Sequence, residues 1–230
     1  MSPEELKIKV GIELASRVKD GDVLGVGSGT TVSAAVREIG KLVKSKDISV
    51  SAVPTSLQIA QLCEEVGITV LSIDSSQELA WGFDGADGVD ARLRLIKGKG
   101  GALLKEKIIA AKCKELYIIV DQSKIFENLA DACAVPVEVV PASWKTVTQA
   151  LTALGAVSVS QRMIKMFDKD FVYFTENGNI IYDAKFNEIS DDLEKEINLI
   201  PGVIDNGIFT RFATEVLVAS GEGISIMKPE

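Results

Sequence analysis

Three short segments hold most of the residues able to do chemistry. Gly25-Val26-Gly27-Ser28-Gly29-Thr30-Thr31 offers backbone N–H groups and the hydroxyls of Ser28, Thr30 and Thr31 to an anion. Glycines let the backbone come close, and a following helix N-terminus adds partial positive charge. Asp84-Gly85-Ala86-Asp87-Gly88-Val89-Asp90 supplies carboxylates suited to hydroxyl groups. Lys97-Gly98-Lys99-Gly100-Gly101, running into Ala102-Leu103-Leu104-Lys105-Glu106, adds lysines and a lone glutamate. Glu106 has Ala102, Leu103, Ile109, Ala110 and Cys113 at helical spacing, which places a carboxylate against a buried stripe. Desolvation there works against its charge and makes it a useful general base. Lys107 has mostly apolar neighbours too, and its long stem is expected to snorkel to solvent.

Other chemistries are excluded or disfavoured. Histidine is absent, which removes Ser-His-Asp and Cys-His catalysis and the usual histidine-containing catalytic zinc sites. The three aspartates recur every three residues without the alternate-residue spacing and distal glutamate of a calcium loop, so no metal site is expected. The glycine loop lacks the Lys-Ser/Thr of a nucleotide P-loop, and Thr30 stands where a dinucleotide fingerprint has its third glycine. A formal charge of −8 argues against a nucleic-acid surface. No apolar run approaches the ~18 residues of a membrane span, and no signal-peptide pattern is seen. Cys63, Cys113 and Cys133 are odd in number and unpaired in spacing, as in a reduced, cytoplasmic protein.

The positioning elements follow from pattern. Ser2-Pro3-Glu4-Glu5 starts a helix that is expected to reach about Lys19. Strands at 23–26, 48–53, 68–73 and 116–120 alternate with helices at 30–44, 55–66 and 102–115, while 79–83 and 92–96 are strands flanking the aspartate loop. Alternation of this kind predicts a parallel sheet covered on both faces, with ligands beyond the carboxyl ends of its strands. After residue 129 the order becomes strand 136–140, helix 143–154, strand 171–175, a Glu176-Asn177-Gly178-Asn179 turn into strand 180–182, and helix 191–198. The fold class is therefore α/β: a Rossmann-like parallel-sheet catalytic domain (1–129 plus 206–230) with a smaller α+β domain (130–205). Strands within 208–227 are expected to rejoin the first sheet.

Taken together these segments resemble ribose-5-phosphate isomerases of the A type along almost the whole chain. Val53-Pro54-Thr55-Ser56, Asp121-Gln122-Ser123-Lys124, Pro136 to Pro141 and Ile200-Pro201-Gly202-Val203 add to the resemblance. It implies interconversion of D-ribose 5-phosphate and D-ribulose 5-phosphate through a cis-enediolate, without metal or organic cofactor, in a homodimer or homotetramer. It further implies that Glu106 moves the proton between C1 and C2 and that Lys97 stabilises the developing oxyanion. Asp84 and Asp87, with Gly85 and Ala86, would bind sugar hydroxyls and assist ring opening. Ser28, Gly29, Thr30 and Thr31 would hold the phosphate, and Gly98, Lys99, Gly100 and Lys124 would complete the site. Three positions depart from the family's pattern. Lys99 stands in a stretch that is commonly all glycine, Gly88 replaces a frequent glutamate, and Thr30 replaces a common serine. Two rival readings are a glucosamine-phosphate deaminase-like enzyme, disfavoured by the missing histidine, and a sugar-phosphate sensor domain of a transcription regulator, disfavoured by the acidic charge.

Overall fold

A computed structural model of the chain describes residues 2–229. Helix α1 (Pro3–Ala15) begins with a closed capping box: the Ser2 hydroxyl accepts from the Glu5 N–H (3.2 Å) and the Glu5 carboxylate accepts from the Ser2 N–H (2.6 Å). The helix stops short of Lys19. The Lys19 N–H instead donates to the Asp22 carboxylate (2.9 Å), and Gly21 turns the chain at φ +82° into β1 (Val23–Val26). Helix α2 (Thr30–Lys46) buries Val32, Ala35, Val36, Ile39 and Val43, one stripe at helical spacing. After β2 (Ser51–Pro54), α3 (Leu57–Val66) is capped by Ser56, whose hydroxyl accepts from the Ile59 N–H, so the helix begins two residues later than the sequence pattern suggests.

Next come β3 (Thr69–Val70), β4 (Trp81–Asp84), β5 (Gly88–Val89), β6 (Leu95–Ile96), α4 (Leu103–Lys112) and β7 (Leu116–Asp121). The chain continues through β8 (Val135–Val139), α5 (Trp144–Ala153), β9 (Ser158–Gln161), β10 (Met163–Met166), β11 (Lys169–Val172) and β12 (Ile180–Lys185). It ends with α6 (Leu193–Asn198), β13 (Val203–Asn206), β14 (Ile208–Phe209), β15 (Glu215–Ala219) and β16 (Ile224–Met227).

The main sheet has the order β16-β15-β7-β4-β1-β2-β3 and is parallel except for β16. From β1 the chain moves outward to β2 and β3, then crosses back to lay β4 on the other side of β1. The strand order therefore reverses between β1 and β4, the position at which open parallel sheets bind ligands. The main core packs the buried stripe of α2 with α1, α3 and the sheet, including Leu14, Leu24, Ile59, Phe83 and Ile119. A second core, with Val137, Leu151, Ile180 and Ile197, lies within the sheet β13-β8-β12-β9 and its helices.

Two expectations are corrected. The strand near 171–175 was expected to form a ladder with 180–182. Instead β11 pairs with β10, and a single bridge between Phe174 and Ile180 spans the Asn177-Gly178 turn. The proper partners of β12 are β8 and β9, the latter a polar strand with no apolar alternation to betray it. In the tail, β15 does rejoin the main sheet beside β7, whereas β14 pairs with β6 in a small sheet with β5.

Candidate active site

The three chemistry-bearing segments converge at the carboxyl ends of β1 and β4. Gly27 makes the approach possible: its N–H donates to the Phe83 carbonyl (2.9 Å), and a Cβ there would lie 1.9 Å from Asp84 Cγ. Asp84, at the end of β4, accepts on Oδ1 from the N–H groups of Ser28 (3.1 Å) and Gly85 (2.7 Å). Its Oδ2 lies 2.8 Å from Lys97 Nζ. That ammonium also donates to the Gly85 carbonyl (2.7 Å) and stands 3.1 Å from Glu106 Oε2. Glu106 comes from the first turn of α4, and its Oε1 accepts a 2.5 Å bond from the Ser28 hydroxyl. Oε2 is fully buried, and the Lys97 ammonium is its ion-pair partner.

All three charged groups are buried: Asp84 is 3% exposed, Lys97 3% and Glu106 5%. One cation thus faces two carboxylates in a low-dielectric setting. Burial works against the Lys97 charge, but Asp84 and Glu106 outweigh it and hold the ammonium above the ordinary lysine range. The surplus negative charge falls on Asp84. Burial first, and then the Glu106 carboxylate, push Asp84 up to about 7, against the pull of Lys97.

A cavity of about 200 Å³ opens on this cluster. Its wall contains Ser28, Gly29, Thr30, Thr31, Gly85, Ala86, Asp87, Lys97, Gly98, Lys99, Gly100, Glu106 and Lys124, so every residue to which the family resemblance gives a role lines it except Asp84. Asp84 sits behind that wall, with both oxygens committed to Lys97 and to backbone amides. Gly29 begins α2 at φ +102°, and no side chain caps this helix. Its first-turn N–H groups are open to an anion beside Thr30 and Thr31. The Ser28 hydroxyl, grouped with theirs by sequence, is turned instead to Glu106.

Asp90 does not join the site. It pairs with Arg94 (2.7 Å) and accepts from the Arg92 and Arg94 N–H groups, a turn anchor whose i,i+4 partner was legible in the sequence. Lys107 does not snorkel. It is buried against Asp205 (2.8 Å), Glu194 (2.9 Å) and the Asn206 carbonyl (2.8 Å), with its ammonium 4.7 Å from the centre of the Phe209 ring. The departures at Lys99 and Gly88 have local explanations. In the lysine loop the left-handed positions are Gly98 (φ +96°) and Gly101 (φ +82°), so Lys99 fits without strain, and its N–H donates to the Asp87 carboxylate (3.0 Å). At Gly88 any Cβ would lie 2.3 Å from the Ala132 Cβ.

A buried carboxylate, the ammonium paired with it and an uncapped helix N-terminus around one cavity define an enzyme that moves a proton on a small phosphorylated substrate. Comparison with known proteins agrees. Residues 51–223 match the family model for ribose 5-phosphate isomerase A (phosphoriboisomerase A). Ribose-5-phosphate isomerase A of Thermococcus kodakarensis is 40% identical over 231 residues, covering 99% of this chain and all of that one. The structure of ribose 5-phosphate isomerase A from Methanocaldococcus jannaschii superposes with a TM-score of 0.91 at 37% identity, over 99% of this chain and 100% of that one. A D-ribose-5-phosphate isomerase in complex with phospho-erythronic acid gives 0.92, also at 37% identity and with the same coverage. The chain belongs to the ribose 5-phosphate isomerase A family.

Proposed function

We propose that the cavity carries out the family's reaction, the aldose–ketose isomerisation of D-ribose 5-phosphate and D-ribulose 5-phosphate, with the following division of labour. The Glu106 carboxylate removes the C2 proton of the open-chain aldose, giving a cis-enediolate, and returns it to C1. Lys97 stabilises the oxyanion as charge builds on the substrate oxygens. Because two carboxylates keep it protonated, it acts as an electrostatic partner rather than as an acid. Asp84 orients Lys97 from behind the cavity wall. Asp87, on the cavity wall, binds a sugar hydroxyl. The α2 N-terminus with Thr30, Thr31 and Lys124 takes the phosphate.

The observation that carries this reading is the Glu106 carboxylate on the wall of the cavity, buried beside the Lys97 ammonium (3.1 Å). Formation of ribulose 5-phosphate from ribose 5-phosphate by the purified protein, with chelator present, tests it. No conversion refutes it.

The wider reading has three further parts. Residues 1–129 with 206–230 form the catalytic domain and 130–205 the small one, supported by the separation of the seven-stranded sheet from the sheet β13-β8-β12-β9. The chain self-associates as a homodimer or homotetramer, supported by the exposed Met163, Ile164, Met166 and Phe171 and checked by sedimentation velocity. It works in the cytoplasm, supported by three free cysteines and checked by cell fractionation. Among the described residues no helix is long and apolar enough to cross a membrane.

A further inference from the structure

The loop that carries Lys97 is gripped from the other side of the molecule. Arg162, in the link between β9 and β10, donates through Nη1 to the carbonyls of Gly98 (2.8 Å) and Lys99 (2.9 Å). The far edge of its guanidinium is fixed by Asp183 of β12, through Nε (2.9 Å) and Nη2. Its own backbone is locked as well, with its N–H on the Ile181 carbonyl (2.8 Å) and its carbonyl accepting from the Tyr173 N–H (3.0 Å). The Tyr173 hydroxyl then donates to the next carbonyl, that of Gly100 (3.1 Å). Three successive carbonyls are therefore held by two side chains that lie more than sixty residues away in sequence.

We propose that Arg162 and Tyr173 are positioning residues for the isomerisation, acting through the peptide planes of residues 98–101. A trans peptide is planar, and its C=O and N–H point in opposite directions. Holding the Gly98 carbonyl therefore aims the Lys99 N–H, which meets Asp87 on the cavity wall. Holding the Lys99 carbonyl aims the Gly100 N–H the opposite way, and that N–H has no acceptor within the described residues. Gly100 lines the cavity, so its N–H is a fixed donor for a substrate oxygen next to the Lys97 ammonium. Tyr173 closes the strap over Gly101, where a Cβ would come within 2.1 Å of the hydroxyl.

The residue type matters. A planar guanidinium can meet a carboxylate with one edge and span two carbonyls from the other, whereas a lysine ammonium cannot hold that geometry. This inference rests on the assignment of the 97–100 loop to substrate binding. It adds that the small α+β region sets the loop's donor geometry.

The test compares wild type with Arg162→Ala, Arg162→Lys, Tyr173→Phe and Asp183→Asn, using Glu106→Gln as the chemically inactive reference. Arg162→Ala should lower kcat about 10- to 100-fold, as loss of alignment does. Competitive inhibition by inorganic phosphate should stay within about twofold, since the α2 N-terminus is untouched. Arg162→Lys should remain low, and added guanidinium should restore much of the Arg162→Ala rate, a recovery that a merely misfolded variant would not show. Tyr173→Phe and Asp183→Asn should lower kcat about 3- to 10-fold each, the effect of one lost or loosened hydrogen bond. They decide the matter if Arg162→Ala does not fold.

In the substrate-free protein, the Lys99 and Gly100 amide resonances should shift in Arg162→Ala and in Asp183→Asn. Because that measurement needs no turnover, it tests the strap even if wild type fails to convert ribose 5-phosphate, a failure that would count against the assigned function alone. The inference is overturned if the Arg162 and Asp183 variants keep kcat within about threefold of wild type. It is equally overturned if the lost rate of Arg162→Ala is insensitive to guanidinium and the two amide resonances do not move.

Discussion

Replacing Glu106 by glutamine keeps the shape of the side chain and removes its ability to take a proton. The Ser28 hydroxyl can still donate to the amide oxygen, and Lys97 keeps Asp84 and the Gly85 carbonyl, so the fold has no reason to collapse. Loss of a general base should slow turnover by about 10²–10⁴, or about 2.7–5.4 kcal/mol of barrier. A second consequence follows from the geometry. Both carboxylates touch Lys97 Nζ, so their facing oxygens are no more than about 6 Å apart. At an effective dielectric near 20 their repulsion is about 3 kcal/mol, enough to move a titration by about two pH units.

In wild type Asp84 is raised from 3.8 to about 7. The folded state therefore binds a proton that the unfolded state lacks between those values. That contribution to stability is fully present below about 3.8 and is lost as pH rises through about 7, at up to about 1.4 kcal/mol per pH unit. With Glu106 neutral, the upper end of this window should move down by as much as two pH units, and the variant should lose less stability than wild type between about pH 5 and 7. Chemical denaturation across pH, beside an assay of ribulose 5-phosphate formation, measures both effects. Turnover above about a tenth of wild type would sink the role of Glu106, and an unshifted stability profile would sink the account of Asp84.

Thr30→Ala with Thr31→Ala should weaken ribose 5-phosphate binding far more than ribose binding, by about 1.5–3 kcal/mol per lost bond to the phosphate; equal losses in calorimetry would put the phosphate elsewhere. Gly27→Ala drives a methyl group into Asp84 and should abolish activity and lower Tm; an active, stable variant would contradict the close approach of the two strands. Activity should persist after exhaustive EDTA treatment, because the Lys97 ammonium already fills the space between Asp84 and Glu106; loss that one divalent ion restores would overturn the proton-transfer route. In deuterated water the product should gain solvent deuterium at the carbon that receives the proton, and complete retention of substrate hydrogen would refute the enediolate.

The parts of this molecule that were legible in sequence are those whose causes are local. The Ser2 capping box, the buried stripe of α2 and the glycines of the anion loop each depend on neighbours a few residues away. The apolar surroundings of Glu106 were visible at helical spacing and placed it correctly in the interior. What was hidden depends on distant partners. Lys107 reads as an amphipathic surface lysine until Glu194 and Asp205 are folded against it. Arg162 sits in a polar stretch without periodicity, and nothing near it in sequence announces the carbonyls it grips. Even for Glu106 the sequence supplied only the desolvation, since the ammonium that faces it arrives from another loop.

The absence of histidine makes the cluster intelligible as a solution rather than a deficit. An imidazole can supply both charge and proton, but it changes state near neutral pH. Here those duties are separated. Charge is supplied by Lys97, which two buried carboxylates prevent from losing its proton, so its field does not vary over the working range. The titrating duty falls to carboxylates, of which there is one more than the ammonium can neutralise. Burial turns that excess into a raised proton affinity at Asp84, while Glu106 stands on the cavity wall. When the substrate's oxygen gains negative charge, it meets an ammonium and backbone donors already oriented, and little reorganisation remains to be done. The crowding of two carboxylates on one cation thus keeps that cation charged for the oxyanion and sets the Glu106 carboxylate beside it on the cavity wall.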